Sequence, residues 1–143
     1  MEIKSTSQAA TQKIAQKLAK KLNGSDVIAL FGDLGSGKTV FVQGLARGLG
    51  IKKRITSPTF VFMRAYEIKH KGEELTFYHL DLYRAQNIDD LKSLGLSEIF
   101  NKDSIVVLEW ADKIKNKLPA KRIDVEITSI NAKERKIKID RRG

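Results

Sequence analysis

The chain has 143 residues, of which 41% are hydrophobic and 31% charged, the balance of a soluble globular protein; one domain spanning 1–143 is expected. It has no cysteine, which excludes disulfides, thiolate metal sites and a cysteine nucleophile. No apolar run approaches the ~20 residues of a membrane span, Met1-Glu2-Ile3-Lys4 carries no apolar signal core, and a cytoplasmic protein is expected.

Ser7 to Leu22 predicts an amphipathic helix. Ile14, Leu18 and Leu22 recur every four residues, with Ala10, Ala15 and Ala19 beside them. Thr6 or Ser7 supplies a cap, and Asn23-Gly24 a stop. A strand at 26–31, built on the apolar run Val27 to Phe31, follows, and residues 39–49 read as a helix with Val42, Leu45, Ala46 and Leu49 facing inward. Gly44 and Gly48 weaken that helix and suggest close helix–sheet approach.

Between strand and helix lies Gly32-Asp33-Leu34-Gly35-Ser36-Gly37-Lys38-Thr39, which fills every fixed position of the phosphate-loop pattern G-x-x-x-x-G-K-[ST]. The flanks matter as much as the match, because the motif works only as strand, loop, helix. Glycines let the backbone wrap an anion closely, inward N–H groups bind it, and the helix adds its positive dipole end. In this pattern Lys38 reaches the β- and γ-phosphates and the Thr39 hydroxyl sits on Mg²⁺.

Lys52 to Phe60 reads as a loop, since Ser57-Pro58-Thr59 suits no helix interior. Phe60 to Ile68 and Leu75 to Leu80 predict an antiparallel hairpin turning within His70 to Glu74, with His70 in the loop. That departs from strict β-α-β alternation. Short helical segments are expected at 88–94 and from Ser97 to Phe100. Ser104 to Glu109 is a continuous apolar run ending in an acid, as in a central strand covered on both faces. Lys113 to Leu118 is a short helical link stopped by Pro119, and Arg122 to Ile130 with Lys136 to Asp140 predict a second hairpin. The expected fold is therefore α/β, a three-layer sandwich of the P-loop NTPase type with a mixed parallel and antiparallel sheet.

The net charge of +10 is uneven: residues 113–143 hold eleven Lys and Arg against four acids. A basic surface attracts polyanions, but no RNA-binding signature accompanies it, and a solvated face is the plainer reading.

A nucleotide-bound Mg²⁺ takes one or two protein oxygens and keeps several waters. Thr39 is one candidate ligand. The second should be a carboxylate at a strand's carboxyl end, and two positions fit, Asp81 and Glu109. A guanine-specific Asn-Lys-x-Asp is missing, because Asn101-Lys102-Asp103-Ser104 lacks the last acid and precedes its strand. No arginine-bearing kinase lid is legible, Arg84 being a lone cation. His79 either orients the site or packs in the sheet.

With these pieces in order the chain resembles the TsaE (YjeE) family, small P-loop ATPases of bacterial tRNA threonylcarbamoyladenosine biosynthesis. The resemblance is carried by the phosphate loop, Ser57-Pro58-Thr59-Phe60, His79-Leu80-Asp81-Leu82-Tyr83-Arg84 and Glu109-Trp110-Ala111-Asp112, from about residue 5 to residue 127. It implies that Leu34, Gly35, Ser36, Gly37, Lys38 and Thr39 hold the phosphates of ATP. It implies Mg²⁺ on Thr39 and Glu109, and Ser57-Pro58-Thr59 as a switch-like loop whose Thr59 hydroxyl serves near the metal or the attacking water. It implies that Asp81, similar to the family's second essential acid, orients that water and that Trp110 packs by the nucleotide or at an interface. The resemblance also implies that the N-terminal helix region and the late hairpin contact the base, which by position suggests Gln8 and a residue near Lys133.

The resemblance also implies the partners TsaD and TsaB, which transfer threonylcarbamoyl to adenosine 37 of tRNAs reading codons that begin with A, with tRNA met indirectly through that complex. Hydrolysis by the isolated chain should be slow, since no arginine finger is evident. Two other readings remain, a small P-loop phosphotransferase acting on a metabolite and a nucleotide-gated RNA-binding module.

Overall fold

The computed structural model describes residues 1–33, 35–55, 63–83 and 95–143. The expectations for Leu34, Ser57 to Phe60 with Thr59, Arg84 and the helix at 88–94 lie outside the described residues.

In chain order the elements are β1 (Glu2–Ser5), α1 (Gln8–Lys21), β2 (Val27–Phe31), α2 (Lys38–Gly48), β3 (Met63–His70), β4 (Glu73–Asp81), α3 (Leu96–Ile99), β5 (Ser104–Glu109), a 3-10 segment (Ala111–Lys117), β6 (Arg122–Ser129) and β7 (Arg135–Arg142). The seven strands form one sheet in the order β1-β7-β6-β2-β5-β4-β3. Four central strands, β6, β2, β5 and β4, run parallel, and the pairs β6–β7, β7–β1 and β4–β3 are antiparallel. The sheet is thus mixed, as expected.

Alternation along the central strands builds two cores. Ile28 and Leu30 of β2, with Ile105 and Val107 of β5, face α1 and α2. Val27, Ala29, Val106 and Leu108 face the opposite layer, with Ile99 of α3 and Ala111 and Ile114 of the 3-10 segment. Every residue of β5 is buried, which explains its unbroken apolar run. Ile105 and Leu108 are fully buried, each contributing roughly 1.5–3 kcal/mol by transfer from water.

Helix α1 is capped by Ser7, whose Oγ accepts the Ala10 N–H at 3.0 Å. Its fully buried line is Thr11, Ala15 and Ala19, whereas Ile14 and Leu18 sit at the margin. The larger residues lose the central place because α2 comes too close. A Cβ on Gly44 would lie 2.5 Å from Gln12 O and 2.7 Å from the Ala15 methyl, and one on Gly48 would lie 2.6 Å from the Ala19 methyl. The two glycines therefore serve helix–helix approach, not the helix–sheet approach expected. Gly44→Ala should destabilise the fold by on the order of 1–3 kcal/mol through overpacking, despite a helix-propensity gain of about 1 kcal/mol. Chemical denaturation checks this; a stabilised variant would show that the helices separate freely.

Two further expectations change. Strand β1 was not foreseen: it is short and polar, and forms only because β7 offers it an edge. His70 ends β3 instead of lying in the loop, and its Nε2 lies 2.8 Å from Leu22 O. The turn itself is Lys71-Gly72, with both residues at positive φ. Among the described residues no helix is long and apolar enough to cross a membrane.

Candidate functional site

The carboxyl ends of the parallel strands converge on the phosphate loop. Strand β2 runs straight into it, while Leu30, Glu109 and Asp81 lie side by side in register across β2, β5 and β4. Open α/β sheets bind ligands at this edge. The loop turns with Gly35 at φ +79° and Gly37 at φ +108°, the latter capping α2, and both conformations favour glycine.

Lys38 opens α2 and is buried. Its Nζ donates to Gly32 O at 2.5 Å and Asp33 O at 2.8 Å and lies 4.0 Å from the Trp110 ring centroid. Burial lowers its pKa, and the acids Glu109, Asp81, Asp112 and Asp33 pull the other way. Trp110 holds its place with a left-handed backbone at φ +60° and with its ring 4.9 Å from that of Tyr83. The lysine thus rests between loop carbonyls and an aromatic face.

The neighbouring Thr39 donates from Oγ1 to Glu109 Oε1 at 3.1 Å. Glu109 is 2% exposed, and its other oxygen lies 2.5 Å from Nε2 of the fully buried His79. A carboxylate only accepts, so the imidazole Nε2–H donates. His79 therefore does both things left open by the sequence: it packs in the sheet and it orients the acid. Asp81 is half-buried and accepts the Tyr83 N–H at 3.0 Å. Burial raises its pKa, the Tyr83 hydrogen bond opposes that, and the charge of Glu109 adds to the rise.

Lys38, Thr39, Asp81, Tyr83, Glu109 and Trp110 line one cleft of about 590 Å³. Its lining includes Gly35 and Gly37 of the loop. Ser7 and Gln8 at the start of α1 and Lys133 in the β6–β7 turn also line it. Gln8 and Lys133, far apart in sequence, thus face the same space as the loop. Sequence reasoning missed Arg135, which also lines the cleft and donates to Ser36 O at 2.8 Å. No local pattern marks it, since its partner is 99 positions away.

The donors suit a phosphate with a hard cation. Thr39 Oγ1, Glu109 and Asp81 all offer oxygen donors to the same cleft, the donor type that Mg²⁺ prefers. The hydroxyl of Ser36 is buried in the loop without a hydrogen-bond partner among the described residues, as expected of a group awaiting an anion.

Comparison with known proteins identifies the lineage. The family model for threonylcarbamoyl adenosine biosynthesis protein TsaE matches residues 5–137. The chain belongs to the TsaE family. Among TsaE relatives, that of Bacillus subtilis is 39% identical over 127 residues, covering 89% of this chain and 77% of its own. That of Treponema pallidum is 34% identical, covering 85% of this chain and 87% of its own. The crystal structure of Bacillus subtilis YdiB superposes with a TM-score of 0.81 at 34% identity, covering all of this chain and 86% of that one. The TsaE match runs past residue 127, where the sequence resemblance stopped, and takes in the β6–β7 turn and Arg135.

Proposed function

We propose that this protein is the ATP-binding and ATP-hydrolysing switch subunit of cytoplasmic tRNA threonylcarbamoyladenosine formation. In this reading it acts on the TsaB–TsaD complex that modifies adenosine 37 of tRNAs reading codons beginning with A, and meets tRNA indirectly through that complex. The observation that carries the reading is the convergence of the phosphate loop, the Thr39–Glu109 pair and Asp81 in one cleft of a TsaE-family chain.

The loop N–H groups and the α2 N-terminus hold the phosphates. Lys38, already turned toward the loop, faces the β- and γ-phosphates. Thr39 Oγ1 and Glu109 would hold Mg²⁺, which would supply charge to offset that of the phosphates. His79 keeps the Glu109 carboxylate aimed at Thr39. Asp81, beside Glu109 in the strand register, orients the attacking water, and a hydroxyl role toward the metal or that water is assigned to Thr59. Gln8 and Lys133 flank the base and ribose. Loss of the γ-phosphate removes the anion that orders the switch segment, which changes the surface offered to the partner.

Phosphate release from ATP and GTP with Mg²⁺, for the chain alone and with TsaB and TsaD, tests this. The expected result is slow ATP turnover that rises when the partners are added. Turnover indifferent to the partners, with ADP formed only when a metabolite extract is present, would replace the switch with a phosphotransferase.

A further inference from the structure

Arg135, at the start of β7, reaches across to the phosphate loop. Its Nε donates to Ser36 O at 2.8 Å and its Nη2 to Gly35 O at 3.3 Å. Its Nη1 donates to Asn131 O at 2.8 Å and to Glu134 O at 3.0 Å. One guanidinium therefore joins two loop carbonyls to the β6–β7 turn. The turn is itself braced: Asn131 Oδ1 accepts the N–H groups of Lys133 and Glu134, and the Glu134 carboxylate pairs with Lys4 of β1 at 2.9 Å.

A glycine-rich loop samples many conformations, and each one other than the anion-binding form weakens binding. Arg135 acts on that choice through peptide planes. The described peptide bonds are trans, so the C=O and N–H of one unit point in opposite directions. With the Ser36 carbonyl held by Arg135, the Gly37 N–H turns away from the guanidinium. The Gly35–Ser36 unit is held at both ends, its carbonyl by Arg135 and its N–H by Asp33 O at 3.0 Å.

We propose that Arg135 is a positioning residue that preorganises the phosphate loop for anion binding and makes that geometry depend on the β6–β7 turn. A lysine cannot take over, because an ammonium is a point charge on one atom whereas the planar fork serves four carbonyls in two segments. The proposal uses the ATP reading above only for its affinity readout.

The test compares Arg135→Lys and Arg135→Ala with wild type in the full chain. Amide exchange is measured without ligand, and ATP and ADP affinities by calorimetry. Faster exchange confined to residues 35–39, with β5 unchanged, is expected in both variants. ATP and ADP affinity should fall alike, by on the order of tenfold, as when an outer-shell orienting partner is lost at a metal site. If the alanine variant fails to fold, the lysine variant, which keeps the charge and the aliphatic stem, carries the comparison. Wild-type loop exchange and affinity in Arg135→Lys would overturn the proposal, since charge alone would then suffice. Weaker binding without a change in loop exchange would also overturn it, by making Arg135 a direct ligand contact. So would exchange that rises equally in β5. If the wild type binds neither nucleotide, the proposed function fails while the exchange comparison still decides the role of Arg135.

Discussion

Lys38→Ala should abolish ATP binding and turnover while the protein stays folded. The lysine is buried between the carbonyls of Gly32 and Asp33 and the Trp110 ring, so its position is set before any ligand arrives. Such a preorganised donor costs no rearrangement on binding, and losing one costs roughly 10²–10³ in rate, about 2.7–4 kcal/mol. The fold has less to lose. Burying the ammonium already lowers its pKa, so the hydrogen bonds it makes are offset by desolvation. Removal leaves the carbonyls of Gly32 and Asp33, residues that line an adjoining surface pocket, where water replaces the donor. Calorimetry with Mg²⁺ and ATP, paired with a thermal melt, separates the two effects. Wild-type turnover by the alanine variant would remove the phosphate-loop assignment altogether.

Glu109 carries the second large effect, and here structure and chemistry are coupled. Its carboxylate joins Thr39 to His79 at a site that is 2% exposed. Glu109→Ala leaves both ring nitrogens of His79 buried without a partner, because Nδ1 has none among the described residues already. A loss of about 1–3 kcal/mol of stability is expected from the stranded imidazole. Glu109→Gln is the sharper probe. The amide oxygen still accepts from His79 and the volume is kept, but the negative charge is gone. The Mg²⁺ concentration needed for half-maximal turnover should rise by about 10–100-fold, with metal-free nucleotide binding much less changed. A Mg²⁺ titration identical to wild type would take Glu109 off the metal and leave it as a strut for Thr39.

Much of this site was legible because its signals are local. The phosphate loop announces itself within eight residues, and its flanking strand and helix follow from an apolar run and a periodic one. Glu109 was legible only together with Asp81, as one of two acids at strand ends in a chain with an intact phosphate loop. What failed shares one property. Strand β1 has a single apolar residue, Ile3, and exists through pairing with β7. Gly44 and Gly48 looked like weak helix positions until α1 was placed against them. His79 had two open readings until the register of β4 and β5 set it beside Glu109.

By itself, the sequence determined the order of the elements from α1 onward, the phosphate-loop pattern, the cap that opens α1 and the two acids that accompany the loop. Each depends on backbone dihedrals, caps or side-chain periods confined to a few neighbouring residues. The tertiary structure alone decided that β2 lies between β5 and β6, which brings Asp81 and Glu109 to the loop on one side and the β6–β7 turn to it on the other. It alone decided that Arg135 would grip Ser36 across 99 positions. Such contacts form only once the ends of a long loop are brought together by the burial of a common core, and no short window of residues records that closure.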